Sequence, residues 1–143
     1  MSCLLSIIIV NWNVADILIN AIQSIQNNPP NGDYEIIVVD NASSDDSLIK
    51  LDTYFSTVRV IANKKNVGFG KANNQGIKLA KGKYILFLNP DTVVLDDALN
   101  KLINILEKKK EVGMVGPQLL NDTDLSPQLG CAKLSGLFYQ VSF

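Results

Sequence analysis

Short apolar runs alternate with amphipathic stretches through most of the chain. Leu5 to Val10, Ile36 to Val39, Val58 to Ala62 and Tyr84 to Leu88 are dense in Ile, Val and Leu with little polar alternation. Runs of that length and composition predict strands of a parallel sheet, and Leu5 to Val10 and Tyr84 to Leu88 read as buried on both faces. Between them the spacing turns helical. Val14, Ile17, Leu18, Ala21, Ile22 and Ile25 form one stripe, closed by Asn27-Asn28-Pro29-Pro30-Asn31-Gly32. Leu48, Leu51 and Phe55 form a second, opened by Ser43 and Asp46 at the spacing of a capping box. Ala72, Gly76 and Ala80 mark a small-residue helix that Gly82 is expected to end. Glycine inside a helix costs about 1 kcal/mol against alanine, so Gly76 implies close packing on the sheet. Leu99, Leu102, Ile103 and Leu106 form the last stripe, with Asp96 and Asp97 before it and Lys108-Lys109-Lys110 after it, both favourable to the helix dipole.

Val112 to Val115 reads as a fifth strand, interrupted by Gly116-Pro117. Beyond Leu120 the pattern fails: Asn121 to Gly130 is turn-rich, and Ala132 to Phe143 is apolar without a period. Five alternations of strand and helix predict an α/β fold, a mainly parallel doubly wound sheet with helices on both faces. Residues 1–120 are expected to form one α/β domain and 121–143 the start of a second, incomplete part.

Composition narrows the functions. With 143 residues, 47% hydrophobic and a net charge of −1, the chain is an ordinary globular domain without the basic footprint of a nucleic-acid binder. It has no histidine, which removes histidine-based nucleophile schemes and histidine-ligated zinc. Cys3 and Cys131 have no motif spacing and read as reduced thiols of a cytoplasmic protein. The opening CLLSIIIV is too short for a membrane span and lacks a basic flank.

Three of the strands run into polar residues on one rim: Asn11-Trp12-Asn13 after the first, Asp40-Asn41 after the second, Asn89-Pro90-Asp91 after the fourth. Pro90 cannot donate to a ladder, so pairing should stop there. The carboxyl ends of such strands are where open α/β sheets bind ligands. An aromatic, two carboxylates and several amides suit a nucleotide: the aromatic stacks on a base, one carboxylate accepts from base or ribose, and the other holds a metal on the diphosphate. Each residue also has a plainer reading. Trp12 can be a large core residue, Asp40 a local cap, and Asp91 the former of an Asx turn or the cap of the next helix. No GxxxxGK[ST] occurs. Gly68-Phe69-Gly70 begins a GxG, but Asn73 stands where the dinucleotide fingerprint needs glycine.

The ordered segments SIIIVNWN, EIIVVDNASSDDS, NVGFGKANNQGI, YILFLNPDTVV and VGMVGPQLL resemble the amino-terminal half of a family 2 glycosyltransferase with the GT-A fold, a Rossmann-like architecture. The NPDT form is similar to rhamnosyltransferase-like members, and the resemblance covers Leu5 to Pro127. It implies that Asp40 contacts the pyrimidine of a UDP- or dTDP-linked sugar. Trp12 falls where the family has an aromatic near that base, and Val10 and Asn41 belong to the same strand ends. Asn74 matches an asparagine lining the nucleotide pocket, and Asn73 stands where many members have arginine. Asn89 and Asp91 occupy the outer positions of the family's DxD, which implies ribose or metal-shell contact for Asn89 and direct Mg²⁺ or Mn²⁺ binding for Asp91. With asparagine first, one carboxylate remains where many relatives have two, so metal should bind mainly with nucleotide.

The implied reaction is inverting sugar transfer from a nucleoside-diphosphate sugar to a hydroxyl of a glycan or lipid-linked acceptor in polysaccharide biosynthesis. The family's catalytic base lies downstream of the matched half. Asp122 and Asp124, the carboxylates after Glu111, match no family motif and are assigned no role. A truncated piece of a longer chain is therefore expected, inactive alone, self-associating through an uncovered fifth strand and an apolar tail. The partners implied are nucleotide sugar and acceptor, no nucleic acid, peripheral contact with the inner face of the membrane, and a second copy. The other reading is a non-catalytic nucleotide-binding or interaction module lacking the acceptor half.

Overall fold

The run LSIIIVN forms β1 (Leu5–Asn11), and all seven of its residues are buried. In the computed structural model, which describes residues 3–128, the chain continues through α1 (Ala15–Asn27), β2 (Tyr34–Asp40), α2 (Ser47–Tyr54), β3 (Arg59–Ala62), α3 (Phe69–Leu79), β4 (Tyr84–Leu88) and α4 (Ala98–Lys108). Among the described residues the sheet has the order β3-β2-β1-β4, and every pairing is parallel. The chain steps outward from β1 to β2 to β3, then returns to the other side of β1 for β4. Right-handed crossovers put α1 and α2 on one face, and the reversal puts α3 on the other. The contacts agree: α1 lies against α2, and α3 packs on β1 and β2. The expected doubly wound sheet is thus present, with its topological switch between β1 and β4.

The α3 face is closed by Ile8, Val10, Ile37, Val39 and Ala72. Gly76 permits that closeness, because a Cβ there would lie 2.6 Å from Ile8 Cγ2. Alternation turns Ile7 and Ile9 to the opposite face, where they are also fully buried. Burial on both faces is why β1 shows no polar alternation in sequence.

Several expectations are corrected. Among the described residues β4 is an edge strand, and Ile85 and Phe87 are 41% and 48% exposed, so it is not buried on both faces. They share the α3 side of the sheet with Ser6 and Ile8, and α3 covers β1 and β2 instead. Ile17 and Leu48 are exposed, leaving narrower apolar stripes. Gly82 does not end α3, which stops at Leu79; a Cβ on Gly82 would collide with the backbone of Leu5 and Ser6. The capping box of Ser43 and Asp46 is absent, since Asp46 makes no side-chain cap bond to α2. Asp45 takes that role for two helices: Oδ2 accepts Ala15 N–H at 3.0 Å and Oδ1 accepts Ser47 N–H at 3.1 Å and its hydroxyl at 2.5 Å. Burial alone would push its pKa up, but the bonds from Ser47 and Ala15 outweigh it and hold the carboxyl below its usual value.

At the amino end of the sheet Glu35 ties three strands and the α3–β4 turn. Its Oε1 accepts Ser6 Oγ–H and Lys81 N–H, both at 2.7 Å, and Oε2 accepts Arg59 Nη1–H at 2.9 Å. Burial raises its pKa, but the bonds from Ser6, Lys81 and Arg59 and the Arg59 charge reverse the sign, so the net shift is downward. A depressed carboxyl pKa stabilises the fold above the unfolded value of 4.5 and ceases to do so as pH falls through the folded value. Stability by urea unfolding should therefore decline from about pH 4.5 downward, and Glu35→Gln should flatten that part of the profile while lowering stability at pH 7.

The described residues divide into two units, one ending at Asp96 and the other beginning at Asp97. In the second, α4 carries the expected stripe, with Leu99 and Leu102 buried. Val112 to Val115 is not a strand, correcting the fifth. Gly113 and Gly116 weaken that stretch and Pro117 cannot donate to a ladder; the Val112 N–H instead closes a turn onto Lys109 O at 3.0 Å. An antiparallel bridge pairs Leu120 with Pro127. Cys3 is a free thiol. Cys131 and the apolar stretch Ala132 to Phe143 lie outside the described residues. Among the described residues no helix is long and apolar enough to cross a membrane.

Candidate functional site

The ladder between β1 and β2 runs to Asn11↔Asp40, whereas that between β1 and β4 ends at Ile9↔Leu88. The strands therefore part at the switch point, as Pro90 predicted. Asn11 O accepts Asn41 N–H at 2.8 Å on the β2 side. Strand alternation turns the backbone groups of Val10 toward β4, where its N–H closes the last bridge of the ladder and its carbonyl lies beyond the ladder's end. The Val10 side chain is in the core, so only its carbonyl faces the opening.

Asp40 is 1% exposed and is the centre of the rim. Its Oδ1 accepts Asn11 Nδ2–H at 2.8 Å and the Ser43 hydroxyl at 2.6 Å, and its Oδ2 accepts Ser43 N–H at 2.9 Å. Ser43 Oγ in turn accepts Asn13 N–H at 2.9 Å, which fastens the turn after β1 to the turn after β2. Both turns contain a non-glycine residue in the left-handed region, Asn13 at φ 55° and Ala42 at φ 64°. For alanine that conformation costs about 1–2 kcal/mol, which the Asp40–Ser43 bonds offset. Three bonds leave the carboxylate one lone pair, on Oδ2.

Asn41, also buried, faces inward: its Oδ1 accepts Asn63 Nδ2–H at 3.1 Å and Val67 N–H at 3.4 Å, fixing the loop from β3 to α3. Trp12 is 56% exposed, which corrects the core reading and leaves an aromatic face open at the rim. On α3, Asn74 is exposed while Asn73 is 8% exposed, donating Nδ2–H to Phe69 O at 3.2 Å. The side-chain oxygens of Asn11 and Asn73 are buried and accept no hydrogen bond among the described residues.

The segment after β4 is held at both ends. Leu88 ends the ladder, Thr92 N–H closes a turn on Asn89 O at 3.2 Å, and Val94 is pinned to α1. Val94 N–H donates to Ser24 Oγ at 2.9 Å and its carbonyl accepts Asn28 Nδ2–H at 3.1 Å. Asn89 and Asp91 stand exposed on this fixed turn. Among the described residues the Asp91 carboxylate makes no hydrogen bond or ion pair, and the cap of α4 is Asp97. The turn is closed by backbone, so Asp91 is not needed as an Asx-turn former.

No three ligating side chains gather into a metal cage among the described residues. Mg²⁺ seldom needs one, since it keeps waters and takes one or two carboxylates together with substrate phosphates. An exposed, unpaired carboxylate on a rigid turn fits that mode. Asp124, by contrast, is occupied: the Ser126 hydroxyl at 2.7 Å and N–H at 3.0 Å hold its carboxyl below the usual value, which makes it a poor proton acceptor. The residue whose part sequence reasoning missed is Ser43, read as a helix cap. Its signal was available, since a serine three residues after a strand-ending aspartate can return to that carboxylate.

A model of glycosyl transferase family 2 matches residues 6–127. A poly(ribitol-phosphate) beta-glucosyltransferase of Bacillus spizizenii is 37% identical over 111 residues, covering 74% of this chain and 18% of that protein. The poly(ribitol-phosphate) beta-N-acetylglucosaminyltransferase TarP of Staphylococcus aureus is 33% identical over 103 residues, covering 69% and 32%. The crystal structure of S. aureus TarS 1–349 in complex with UDP superposes with a TM-score of 0.74 at 21% identity, covering 87% of this chain and 38% of that one. At that identity the likeness shows the fold, the expected GT-A architecture. The chain spans less than two fifths of the length of each of these three proteins.

Proposed function

The chain belongs to glycosyl transferase family 2, and from that premise we propose that its carboxyl rim binds the nucleoside-diphosphate sugar for an inverting glycosyl transfer. The observation carrying this reading is the parting of β1 and β4 beside three polar strand ends, with Trp12 open, Asp40 fixed and Asp91 unpaired. TarS was crystallised with UDP and with UDP-GlcNAc, which supports a uridine donor.

In this reading Trp12 stacks on the base, and Asp40 offers it the remaining lone pair on Oδ2. The Val10 carbonyl accepts a donor from base or ribose, while Asn11 and Asn73, buried at their side-chain oxygens, brace Asp40 and the first turn of α3. Asn41 acts indirectly, by holding the loop that leads to α3, and Asn74 meets the nucleotide from the first turns of that helix. Asn89 lies beside the ribose or the metal's hydration shell, and Asp91 would hold Mg²⁺ or Mn²⁺. When bound, such an ion neutralises the charge that develops on the departing diphosphate. An acceptor hydroxyl attacks the anomeric carbon, and its proton goes to a carboxylate base that is none of the residues assigned here. The acceptors named for the relatives, poly(ribitol-phosphate) chains, favour a polyol-phosphate acceptor here. Synthesis from nucleotide sugars agrees with action on the cytoplasmic side.

Trp12 is the only tryptophan, so its emission reports the rim alone. Adding UDP should quench or shift that emission saturably. Unchanged emission at millimolar UDP would refute the stacking arrangement.

A further inference from the structure

The carboxyl-terminal half of α1 presents two polar side chains to the interior. Ser24 is buried within the apolar stripe, and Asn28 caps the end of the helix, half-buried. Four residues apart, they share one face. Serine inside a helix tends to return its hydroxyl to the preceding turn, and Ser24 does so, donating Oγ–H to Ala21 O at 2.7 Å. That bond spends the hydroxyl hydrogen and leaves an oxygen lone pair for a donor from elsewhere. Val94 N–H fills it at 2.9 Å. Asn28 Nδ2–H reaches Ser24 O at 3.2 Å and Val94 O at 3.1 Å. Val94 lies on a stretch without helix or strand, yet it is buried. Its two backbone groups need partners there, and side chains of α1 supply one for each.

The grip is remote from the positions of any ligand at the rim. Ser24 lies nine residues beyond Ala15, where α1 leaves the rim, or about 14 Å along the axis. Its influence travels through the chain. Asn89 to Val93 span the gap between Leu88, the last paired residue of β4, and the grip at Val94. The turn within that span, which carries Asp91, is closed by Thr92 N–H on Asn89 O at 3.2 Å. Such a length is at the weak end for a backbone bond, so the turn draws much of its rigidity from its two anchors.

We propose that Ser24 and Asn28 are positioning residues, which grip Val94 and thereby set the direction and rigidity of Asp91. Neither touches a ligand. Loss of the grip leaves the Trp12 and Asp40 end of the rim as it was and weakens only what depends on Asp91. The metal half of this proposal rests on the rim being a nucleotide site; the mechanical half does not.

Ser24→Ala removes the acceptor with little change in volume, and two measurements on the full chain read the result. Amide hydrogen exchange at Thr92, two residues from the altered contact, should be about tenfold faster or more, while exchange at Ile7 to Ile9 stays as in the wild type. In calorimetric titrations with UDP across an Mn²⁺ series, the Mn²⁺ concentration giving half of the gain in affinity should rise about tenfold or more. Metal-free UDP affinity and the Trp12 response should be unchanged. Ser24→Thr, which keeps the hydroxyl, should restore both readouts. If Ser24→Ala does not fold, Asn28→Ala removes the other half of the grip from a half-buried position and should move both in the same direction. Wild-type exchange at Thr92 in the alanine variant, or an unshifted Mn²⁺ dependence, would overturn the proposal. So would equal losses with and without Mn²⁺, which mark a general loosening of the fold. A wild-type chain that binds no UDP would overturn the rim reading and the metal half with it, and Thr92 exchange then judges the grip alone.

Discussion

Asp40→Ala should abolish UDP binding and lower the stability of the fold by about 2–4 kcal/mol, the scale expected when a charge-assisted bond is lost and a buried amide is stranded. The carboxylate is almost fully buried and accepts from Asn11 Nδ2, Ser43 Oγ and Ser43 N. Its removal leaves the Asn11 amide without its shortest acceptor and frees the Ser43 turn, which also anchors Asn13 N–H. Ala42 would then hold its left-handed conformation with nothing to offset the strain. Asp40→Asn is the informative companion. It keeps the volume but turns an NH₂ group toward donors on Asn11 or Ser43, so it should fold better than the alanine variant and still fail to bind UDP. Urea unfolding and nucleotide titration of the same samples separate the two effects.

Asp91→Ala should do the reverse. Its side chain is exposed and makes no bond among the described residues, so stability should stay within about 0.5 kcal/mol. The gain in UDP affinity on adding Mn²⁺ should disappear, a loss of about tenfold or more if the ion bridges carboxylate and diphosphate. Affinity without metal should be unchanged. A metal effect that survives the substitution would return Asp91 to the role of an ordinary turn residue.

How much of this was legible in the sequence differed with the physics involved. β1 and β2 were readable because burial on both faces forces continuous apolar runs. β4 has the same kind of run, yet two of its five residues are exposed, since apolar composition does not say whether a helix covers the strand. Val112 to Val115 looked like a strand for the same reason and has no pairing partner among the described residues. The rim was readable as three polar strand ends, because parallel topology brings them to one side. Its wiring was not. Ser43 sits at the correct spacing for a helix cap, and local spacing could not reveal that Asn11 and Asn13, about thirty residues away, compete for the same hydroxyl. Trp12 was ambiguous in sequence because a large aromatic suits a core as well as a rim, and burial decided it. Asp91 remained open until the turn was seen to close through Thr92 and Asn89 backbone without it.

The central claim is that the strand ends Asn11–Asn13, Asp40–Asn41 and Asn89–Asp91 form one nucleotide site with a metal position at its edge. Calorimetric titration of the chain with UDP, with and without Mn²⁺, tests it most directly. Saturable binding that Mn²⁺ strengthens is the expected result; no heat of binding at millimolar UDP in either condition would contradict it.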